Sequence, residues 1–492
     1  MLIPLTLARD QPLQQQLYDQ LRGLIASARL RSGLRMPSTR VLAEQFAISR
    51  NTVLLTYERL VAEGYLETLP AKGTFVGRRP AWRQASLVEP QAPSEGSPCG
   101  GPPFESATFQ GPGRAAPSTE ARVAETRVGR PDPSLFPAGR WRALMRGALD
   151  RLGAQFGSEH PAGSPALRNA IAGWLSTSRG LAVASDQVIL VSGRQQALHI
   201  IARVALRRGM RAVVEDPCDA NAAAALAGEA VELVRVPVDI DGLRTDCLPA
   251  GDVALVHVTP EHQRPLGVTL ARGRRIALLA WAERIGALVL EEDCEGELRY
   301  GDMNVPSLMS LDTEGRVIML GGFCTSLGPW LGLAYMVLPR RLIAATLAAQ
   351  RLIDDSRRFL EETALTELLG SGGYARHLHR LGKAYASRRD ALLTALRRHF
   401  GTPATTWGEH AGLHLSWFPP ADTGSPGYLA ALARRCGLEA AALPAETRGR
   451  LPLLQTVLLG FGALSEPQIA SRVAQFAALA QATSPAVALA AD

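Results

Sequence analysis

The string Ser49-Arg50-Asn51-Thr52 places a guanidinium, an amide and two hydroxyl groups on consecutive residues. If this string opens a helix, these groups can donate hydrogen bonds to base edges and phosphate oxygens, which DNA-binding helices contact with their first turn. Two further cations, Arg40 and Lys72, lie on either side of the string in the sequence. The residue types therefore indicate a surface that reads duplex DNA.

Two short helices joined by a turn are predicted around this string. Ser38 and Ser49 each precede a run of apolar residues at helical spacing, where a hydroxyl can accept a hydrogen bond from the first turn. The apolar positions expected to face a core are Val41, Leu42 and Phe46 in the first helix and Val53, Leu54, Tyr57, Leu60 and Val61 in the second. The opposite face is left for Arg40 and Arg50.

A further helix and a hairpin complete the predicted unit. Leucines at helical spacing between Gln14 and Ile25 predict a preceding helix. Strand-like residues 65–69 and 74–76 flank a turn at Pro70-Ala71-Lys72-Gly73, which predicts a hairpin, or wing. The alternative is an ordinary helical hairpin with surface arginines. The agreement of the caps, the polar first turn and the wing favours a DNA reader.

Residues 12–76 resemble the winged helix-turn-helix domain of GntR-type bacterial regulators. The resemblance is carried by PSTR at residue 37, SRNTV at residue 49 and LVAEGYLE at residue 60. In that family the arginine after PST, the residues that open the third helix and the tip of the wing touch DNA. The resemblance therefore implies a DNA-binding surface formed by Arg40, Ser49, Arg50, Asn51, Thr52, Lys72 and Gly73.

The composition fits a multidomain protein that handles DNA. A length of 492 residues with 47% hydrophobic residues predicts two or three domains with large cores. The net charge is +7, and residues 1–80 contain eleven Arg or Lys against six Asp or Glu. Such a surplus can serve solubility alone, but here it coincides with the predicted DNA reader.

The six cysteines and the N-terminus indicate the compartment. The cysteines lack metal-ligand or redox spacing, and the first residues lack the pattern of a secretory signal. We therefore expect a cytoplasmic protein without a metal site.

The composition changes sharply after the predicted wing. Residues 80–124 are rich in Pro, Gly, Ser and Ala and show no periodicity, which predicts a flexible linker. We expect a DNA-binding domain at residues 1–79, an effector and dimerisation domain at 125–480 and an alanine-rich tail at 481–492.

Strand-like and helical stretches alternate after residue 129. The apolar strand-like runs are 188–191, 212–214, 253–258, 287–290, 317–320 and 333–338. This alternation predicts an α/β domain with a mainly parallel sheet covered by helices on both faces. Residues 317–339 are uncharged and long enough to span a bilayer, but glycines such as Gly328 and Gly332 divide the run. Buried sheet is therefore predicted there, and no membrane segment.

Two of the predicted strands end in residues that suit an anionic cofactor. Ser192-Gly193-Arg194-Gln195 follows one strand and opens a helix, where free backbone amides and the helix dipole can hold a phosphate. Glu292 and Asp293 follow another strand.

These strings resemble fold-type-I aminotransferases, and the order of domains resembles the MocR-type (GabR-like) regulators. The matching strings are GRPDPSLFP at 129, SGRQQAL at 192, VEDP at 214, VTPEHQRPLGVTL at 258, EEDCEGELRY at 291 and LGFGALSE at 459. The resemblance implies a homodimer whose large domain binds pyridoxal 5′-phosphate and senses a small amine or amino acid. It also implies that Ser192, Gly193, Arg194 and Gln195 lie at the phosphate and that Glu292 is the acid beside the pyridine nitrogen.

The chain departs from that family at the cofactor. Pyridoxal chemistry needs a lysine for the Schiff base, an acid, an aromatic ring and phosphate donors. Alignment with the family places Thr325 at the lysine position, a vestigial site residue, and Asp219 at the stacking tyrosine. Gly322, Cys324 and Gly332 stand where hydroxyls and an arginine are expected. Only two lysines, Lys72 and Lys383, occur in the whole chain.

Three functions remain open from the sequence. The first is a DNA-binding regulator whose aminotransferase-like domain dimerises and senses a small ligand without covalent chemistry, and which has no catalytic residue. The second is a conventional pyridoxal-phosphate-dependent regulator, and the third is an active aminotransferase. Thr325 favours the first, because a threonine hydroxyl cannot form an imine.

Overall fold

This computed structural model divides the chain into two compact units, Met1–Ser106 and Ala107–Asp492. The residues it describes are 3, 5, 13–27, 29–62, 65–69, 72–77, 128–152, 160–228, 231–293, 295–300, 305–354, 358–401, 405–420, 423–443 and 456–482. The predicted linker and alanine-rich tail lie almost wholly outside these residues, so their boundaries stay predictions.

The described residues of the first unit form three helices and one antiparallel hairpin, as the sequence predicts. The elements are α1 (Leu13–Ala26), α2 (Thr39–Phe46), α3 (Arg50–Ala62), β1 (Leu66–Leu69) and β2 (Gly73–Val76). One core joins the helices, with Leu17, Leu42 and Leu60 fully buried. Pro70 and Ala71 of the predicted turn lie outside the described residues.

Both predicted serine caps are present. The Val41 amide donates to Ser38 Oγ at 3.4 Å, and the Thr52 amide donates to Ser49 Oγ at 3.2 Å. Helix α2 ends at Phe46, and the cap residue that follows, Ala47, has a left-handed backbone with a φ of 50°. These local features set the tight turn between α2 and α3.

The predicted apolar faces of α2 and α3 are wrong at two positions. Val41 is 51% exposed and Leu54 is 40% exposed. Thr56 is instead fully buried, and its hydroxyl donates to the Thr52 carbonyl at 2.8 Å. The buried face of α3 follows positions 53, 56, 57 and 60, so position 54 lies about 100° around the helix from Val53, away from the core.

The second unit is built on an eight-stranded, mainly parallel sheet, as predicted. Its strands are β3 (Val188–Val191), β4 (Arg211–Asp216), β5 (Glu232–Asp239), β6 (Gly242–Leu243), β7 (Leu255–Val258), β8 (Leu288–Asp293), β9 (Val317–Gly322) and β10 (Ala334–Val337). The order is β3-β10-β9-β8-β7-β4-β5-β6. Strands β5, β4, β7, β8 and β9 are parallel, and β10 is antiparallel to both of its neighbours.

Helices cover both faces of this sheet. Those in its cores are α4 (Ala138–Asp150), α5 (Pro165–Arg179), α6 (Arg194–Ala205), α7 (Ala220–Ala227), α8 (Arg272–Ile285), α9 (Leu308–Leu311), α10 (Cys324–Leu327), α11 (Arg340–Ile353) and α12 (Phe359–Gly370). Three more helices, α13 (Gly373–Phe400), α14 (Pro426–Arg435) and α15 (Glu466–Ala482), contribute to a further core. Alternate strand residues enter opposite cores. Ile189 packs with α6, α7 and α11, whereas Val188 packs with α5 and α12.

A second, four-stranded antiparallel sheet was not predicted. It has the order β11 (Thr405–Trp407), β12 (His414–Phe418), β14 (Val457–Gly460) and β13 (Glu439–Ala442). Its core includes residues of α13, which also contributes Tyr374 to the core beneath the large sheet. Within the described residues, no helix is both long and apolar enough to cross a membrane.

Candidate functional sites

The predicted DNA-contacting residues lie at the surface of the first unit. Arg40, Ser49, Arg50 and Asn51 are exposed, and Thr52 is half-buried. Because Arg50 is the first residue of α3 and Ser49 is its cap, this group occupies the end of the helix where unpaired backbone amides also point outward. Such an end can donate hydrogen bonds to phosphates and base edges.

Arg35, a cation that the sequence analysis missed, lies beside the wing. Lys72 is exposed, and Gly73 opens β2 with a φ of 108°, a conformation that favours glycine. A Cβ at Gly73 would lie 3.4 Å from Arg35 Nε, and Arg35 forms an isolated β-bridge with Phe75. Arg35 precedes α2 in an irregular segment, so no periodic pattern pointed to it.

In the second unit, the predicted cofactor strings meet at one edge of the large sheet. Strands β3, β4, β7, β8 and β9 all end there because they run in the same direction. Ser192, Thr259 and Thr325 therefore follow their strands at this edge, and Glu292 lies near the end of β8. Ligands of open α/β sheets bind at the carboxyl ends of the strands.

Arg194 and Glu292 form an ion pair at this edge. Arg194 Nε donates to Glu292 Oε1, and its Nη1 lies 3.4 Å from Asp219 Oδ1. His257 Nε2 lies 2.9 Å from Glu292 Oε2, so each carboxylate oxygen has a partner. Burial opposes ionisation of Glu292, but Arg194 and His257 hold its pKa below the ordinary range. Glu292 is therefore an ionised carboxylate, and its positive partner is the Arg194 side chain of the protein itself.

A carboxylate also occupies the loop where a phosphate is expected. Ser192 Oγ donates to Asp354 Oδ2 at 2.9 Å, and Gln196 Nε2 donates to the same oxygen at 3.1 Å. Gly193 caps α6 with a φ of 104°, and Gln195 donates its side-chain amide to the Asn221 carbonyl at 3.2 Å. An added phosphate would therefore meet the negative charge of Asp354 beside the Ser192 hydroxyl.

Thr325 is buried in the short helix α10 that directly follows β9. Gly332, where the family's arginine is expected, has a φ of 58°, and a Cβ added there would lie 3.0 Å from Arg358 Cζ. A guanidinium thus approaches this position from the start of α12. The sequence reasoning missed Arg358 because it lies outside every family string.

A second ionic group lies beside the first and joins the two sheets. Glu295 Oε1 accepts from Arg264, and its Oε2 lies 2.7 Å from His262 Nδ1. The rings of His262 and His414 are perpendicular with centroids 4.5 Å apart, and burial lowers the pKa of His414 to about 3. A Cβ on Gly412 would lie 2.5 Å from His262 Cε1, so this approach requires a glycine.

Possible metal ligands occur in this second group. His262, Glu295 and His414 each offer one ligand atom within 4.8 Å of the others. Sequence spacing could not reveal this cluster because its members come from three distant segments. Arg264 already neutralises Glu295, and the expectation that the protein has no metal site stays a prediction.

Gln263, a neighbouring residue, has a structural role. Its Nε2 donates to the Pro217 carbonyl at 2.7 Å and to Glu215 Oε2 at 3.1 Å, and its Oε1 accepts from the Leu266 amide at 3.1 Å. Both ends of the amide are used within the protein.

The residues at this edge do not fit pyridoxal phosphate. Arg194 pairs with the acid Glu292, and Asp354 accepts a hydrogen bond from Ser192 in the loop expected to hold the phosphate. An aspartate, Asp219, stands at the position of the stacking ring, and a threonine stands at the position aligned with the lysine. The cavity left between Thr259, Arg264 and Glu292 measures about 10 Å³, which is close to the space of one water molecule. The only lysine of the second unit, Lys383, lies on α13 and does not line this cavity.

Both units match known families. Residues 13–76 match the family "Bacterial regulatory proteins, gntR family", and residues 142–414 match "Aminotransferase class I and II". Among solved structures, the chain is similar to a kynurenine aminotransferase from Pyrococcus horikoshii, with a TM-score of 0.66 and 25% identity over 75% of this chain and 95% of that one. The fold and these matches define a winged-helix DNA-binding domain joined to an aminotransferase-like domain.

Full-length relatives share this combination. The chain is 33% identical over 413 residues to the probable rhizopine catabolism regulatory protein MocR of Rhizobium meliloti, covering 82% of this chain and 81% of the relative. It is 34% identical over 405 residues to the HTH-type transcriptional regulator TauR of Rhodobacter capsulatus, covering 78% and 79%. The chain belongs to the MocR-type family of HTH transcriptional regulators.

Proposed function

We propose that this protein is a sequence-specific DNA-binding transcriptional regulator whose aminotransferase-like domain dimerises and senses a small ligand without covalent pyridoxal chemistry. Family membership supports regulation through DNA. The observation that supports the absence of covalent pyridoxal chemistry is the pairing of Arg194 with Glu292 at the sheet edge. Arg194 thereby pairs with the Glu292 carboxylate, which would otherwise interact with the pyridine nitrogen of the cofactor.

The DNA contacts follow from the exposed residues of the first unit. Arg50 and Asn51 begin α3, and their guanidinium and amide groups suit the bidentate hydrogen bonds that distinguish guanine and adenine. Arg40 and Lys72 are exposed cations that suit phosphate oxygens. Binding should weaken as salt rises, because phosphate contacts release counterions.

Dimerisation would pair two DNA readers. Aminotransferase-like folds commonly form dimers, and a two-fold symmetric regulator matches two half-sites on duplex DNA. Each subunit contributes one winged helix, so affinity for a paired site exceeds affinity for a single half-site.

A second candidate is a regulator that binds pyridoxal phosphate noncovalently. Arg358 favours it, because a guanidinium near Gly332 could hold a phosphate. Asp354 at Ser192 opposes it. Fluorescence titration with pyridoxal phosphate separates the two candidates. Saturable binding that perturbs DNA affinity supports the second candidate, whereas no saturation supports the first.

The proposed function is tested by a gel-shift assay on the protein's own promoter region. Arg50→Ala should cost about 1 to 3 kcal/mol of binding free energy and relax the sequence preference, because a base-reading guanidinium is lost. Arg29→Ala removes the same charge from an exposed residue between α1 and α2 and serves as the matched control. Equal affinity and specificity of the Arg50 variant and wild type would reject α3 as the recognition helix.

A further inference from the structure

A second cavity of this unit adjoins the small one across the ion pair of Arg179 and Asp293, of which Arg179 lines the former and Asp293 the latter. It measures about 520 Å³, within the range typical of small-molecule sites. Its walls come from the end of α5, from residues 296–300 after β8 and from one face of α13. None of its lining residues lines the small cavity beside Glu292. The two are separate spaces.

Basic side chains outnumber acidic ones in the lining of this cavity. Arg179, Arg299, Lys383 and Arg389 line it, and Glu297 is the one acid among the lining residues. A cavity lined mainly by one sign of charge attracts ligands of the opposite sign. The side-chain chemistry therefore selects an anion.

Each arginine of the lining has an acidic partner outside the lining, and that of Arg389 is Asp390 at 2.7 Å. Arg179 pairs with Asp293, and Arg299 pairs with Glu261 at 2.7 Å. Neither acid lines the cavity. The side chain of Arg179 is only 9% exposed, and its Nη1 has no hydrogen-bond partner among the described residues. A ligand oxygen that reached this nitrogen would satisfy a buried donor, which is costly to leave unpaired.

Glu297 adds little negative charge. Its carboxyl group accepts hydrogen bonds from Trp174 Nε1 at 3.3 Å, from Ser326 Oγ at 3.2 Å and from the Tyr374 hydroxyl. Burial raises the pKa of Glu297 to about 7, so near neutral pH a substantial fraction is uncharged. Because the arginines are ion-paired, Lys383 and the Nη1 group of Arg179 supply the attraction for an anion.

Apolar and aromatic groups complete the lining. Trp174 and Tyr300 supply rings, and Leu378 and Ala386 supply aliphatic surface from α13. The guanidinium of Arg389 lies 4.8 Å from the centroid of the Tyr300 ring, which fixes both side chains. A ligand with an apolar body and a terminal carboxylate would match both parts of this lining.

We propose that this cavity binds a small organic carboxylate, with the carboxylate directed to Arg179 and Lys383 and the apolar body against Trp174 and α13. That this ligand is the effector rests on the proposed regulatory function. Helix α13 packs in the core beneath the large sheet through Tyr374 and in the core of the small sheet through Leu392. A ligand bound against α13 can therefore shift how the core of the large sheet packs relative to the core of the small sheet.

Calorimetric titration of the full chain tests the binding site. The probes are benzoate and indole-3-acetate, each compared with its amide, which has nearly the same shape without the charge. Each acid should bind at least about tenfold more tightly than its amide, because charge-assisted hydrogen bonds are lost in the amide. Equal affinities of acid and amide, or no saturable binding by either acid, overturn the proposal.

Variants on α13 locate the bound acid. Lys383→Gln should weaken binding of the acids by about tenfold. Arg398→Gln removes one positive charge from an exposed position near the end of the same helix and should leave binding unchanged. Equal losses in the two variants would show a general charge effect and overturn the proposed site.

The scarcity of lysine provides a second measurement. Lys383 and Lys72 are the only two lysines, and they lie in different units. Amine-selective acetylation followed by peptide mass mapping should show Lys383 protected by benzoate in proportion to occupancy, with Lys72 as the internal reference. Undiminished acetylation of Lys383 at saturating benzoate contradicts the proposal. A gel shift on the same protein reports the regulatory function separately, so either claim can fail alone.

Discussion

Arg194 changes the chemistry of the sheet edge at which it lies. In the family string this residue opens a phosphate-binding helix, but here its guanidinium turns to Glu292 and Asp219. The sequence located Ser192, Arg194 and Glu292 at one site, because each follows or ends a strong strand pattern. It could not predict that Arg194 pairs with Glu292, because the two residues are far apart in sequence and only the assembled sheet brings them together.

Introducing the missing lysine should not restore covalent chemistry. Thr325→Lys is expected to give no adduct with pyridoxal phosphate after borohydride reduction, as measured by intact mass. Seating the cofactor would break the Arg194–Glu292 pair, and stranding one partner of a buried ion pair costs about 3 to 5 kcal/mol. Thr325→Lys combined with Arg194→Ala should gain adduct, since it removes the competing cation. If the single variant traps one cofactor per chain, the Arg194–Glu292 pair separates readily and the prediction is wrong.

Glu297 should make stability depend on pH in a specific window. Burial raises its pKa from 4.5 to about 7, so the folded state binds the proton more tightly than the unfolded state. The resulting stabilisation is complete below about pH 4.5 and is lost as pH rises towards 7. Urea unfolding of wild type and Glu297→Gln across this window should show the wild type losing free energy of unfolding relative to the variant. Parallel pH profiles would mean that Glu297 titrates normally.

At the scale of elements, strong periodicity gave correct predictions and weak periodicity did not. All six apolar runs of the second unit are strands of the large sheet, and α1, α2, α3 and the wing are present. Strand β5 was missed because Pro237 interrupts it and Arg235 lies within it. Strand β13 was missed because its sequence, EAAA, has little β propensity.

The turn between α2 and α3 can be strengthened by one substitution. Ala47 has a φ of 50°, which costs an L-residue with a Cβ about 1 kcal/mol or more. Ala47→Gly should therefore stabilise the first unit by about 0.5 to 1 kcal/mol, seen as slower hydrogen exchange of the α2 and α3 amides. The same change at Ala43, which is buried inside α2, should cost about 1 kcal/mol. Faster exchange in the Ala47 variant would contradict the assigned strain.

At the scale of the whole molecule, the second unit should form the dimer. A chain lacking residues 1–125 is expected to sediment as a dimer at micromolar concentration, because removing that segment leaves the aminotransferase-like domain intact. The full chain should show the same association. If the truncated chain is a monomer while the full chain is a dimer, the dimer interface lies in the first unit or in the segment that follows it.

Under the proposed function, the pairing of Arg194 with Glu292 and of Asp354 with Ser192 also bears on how the protein responds to growth conditions. A diffusible cofactor stabilises a protein in proportion to the logarithm of its concentration, so a regulator that depends on one follows the vitamin B6 supply of the cell. Arg194 and Asp354 are part of the polypeptide, and their effective concentration at the site is fixed by the fold. Under the proposed function, this edge of the sheet keeps its ion pairs whatever the supply of the cofactor.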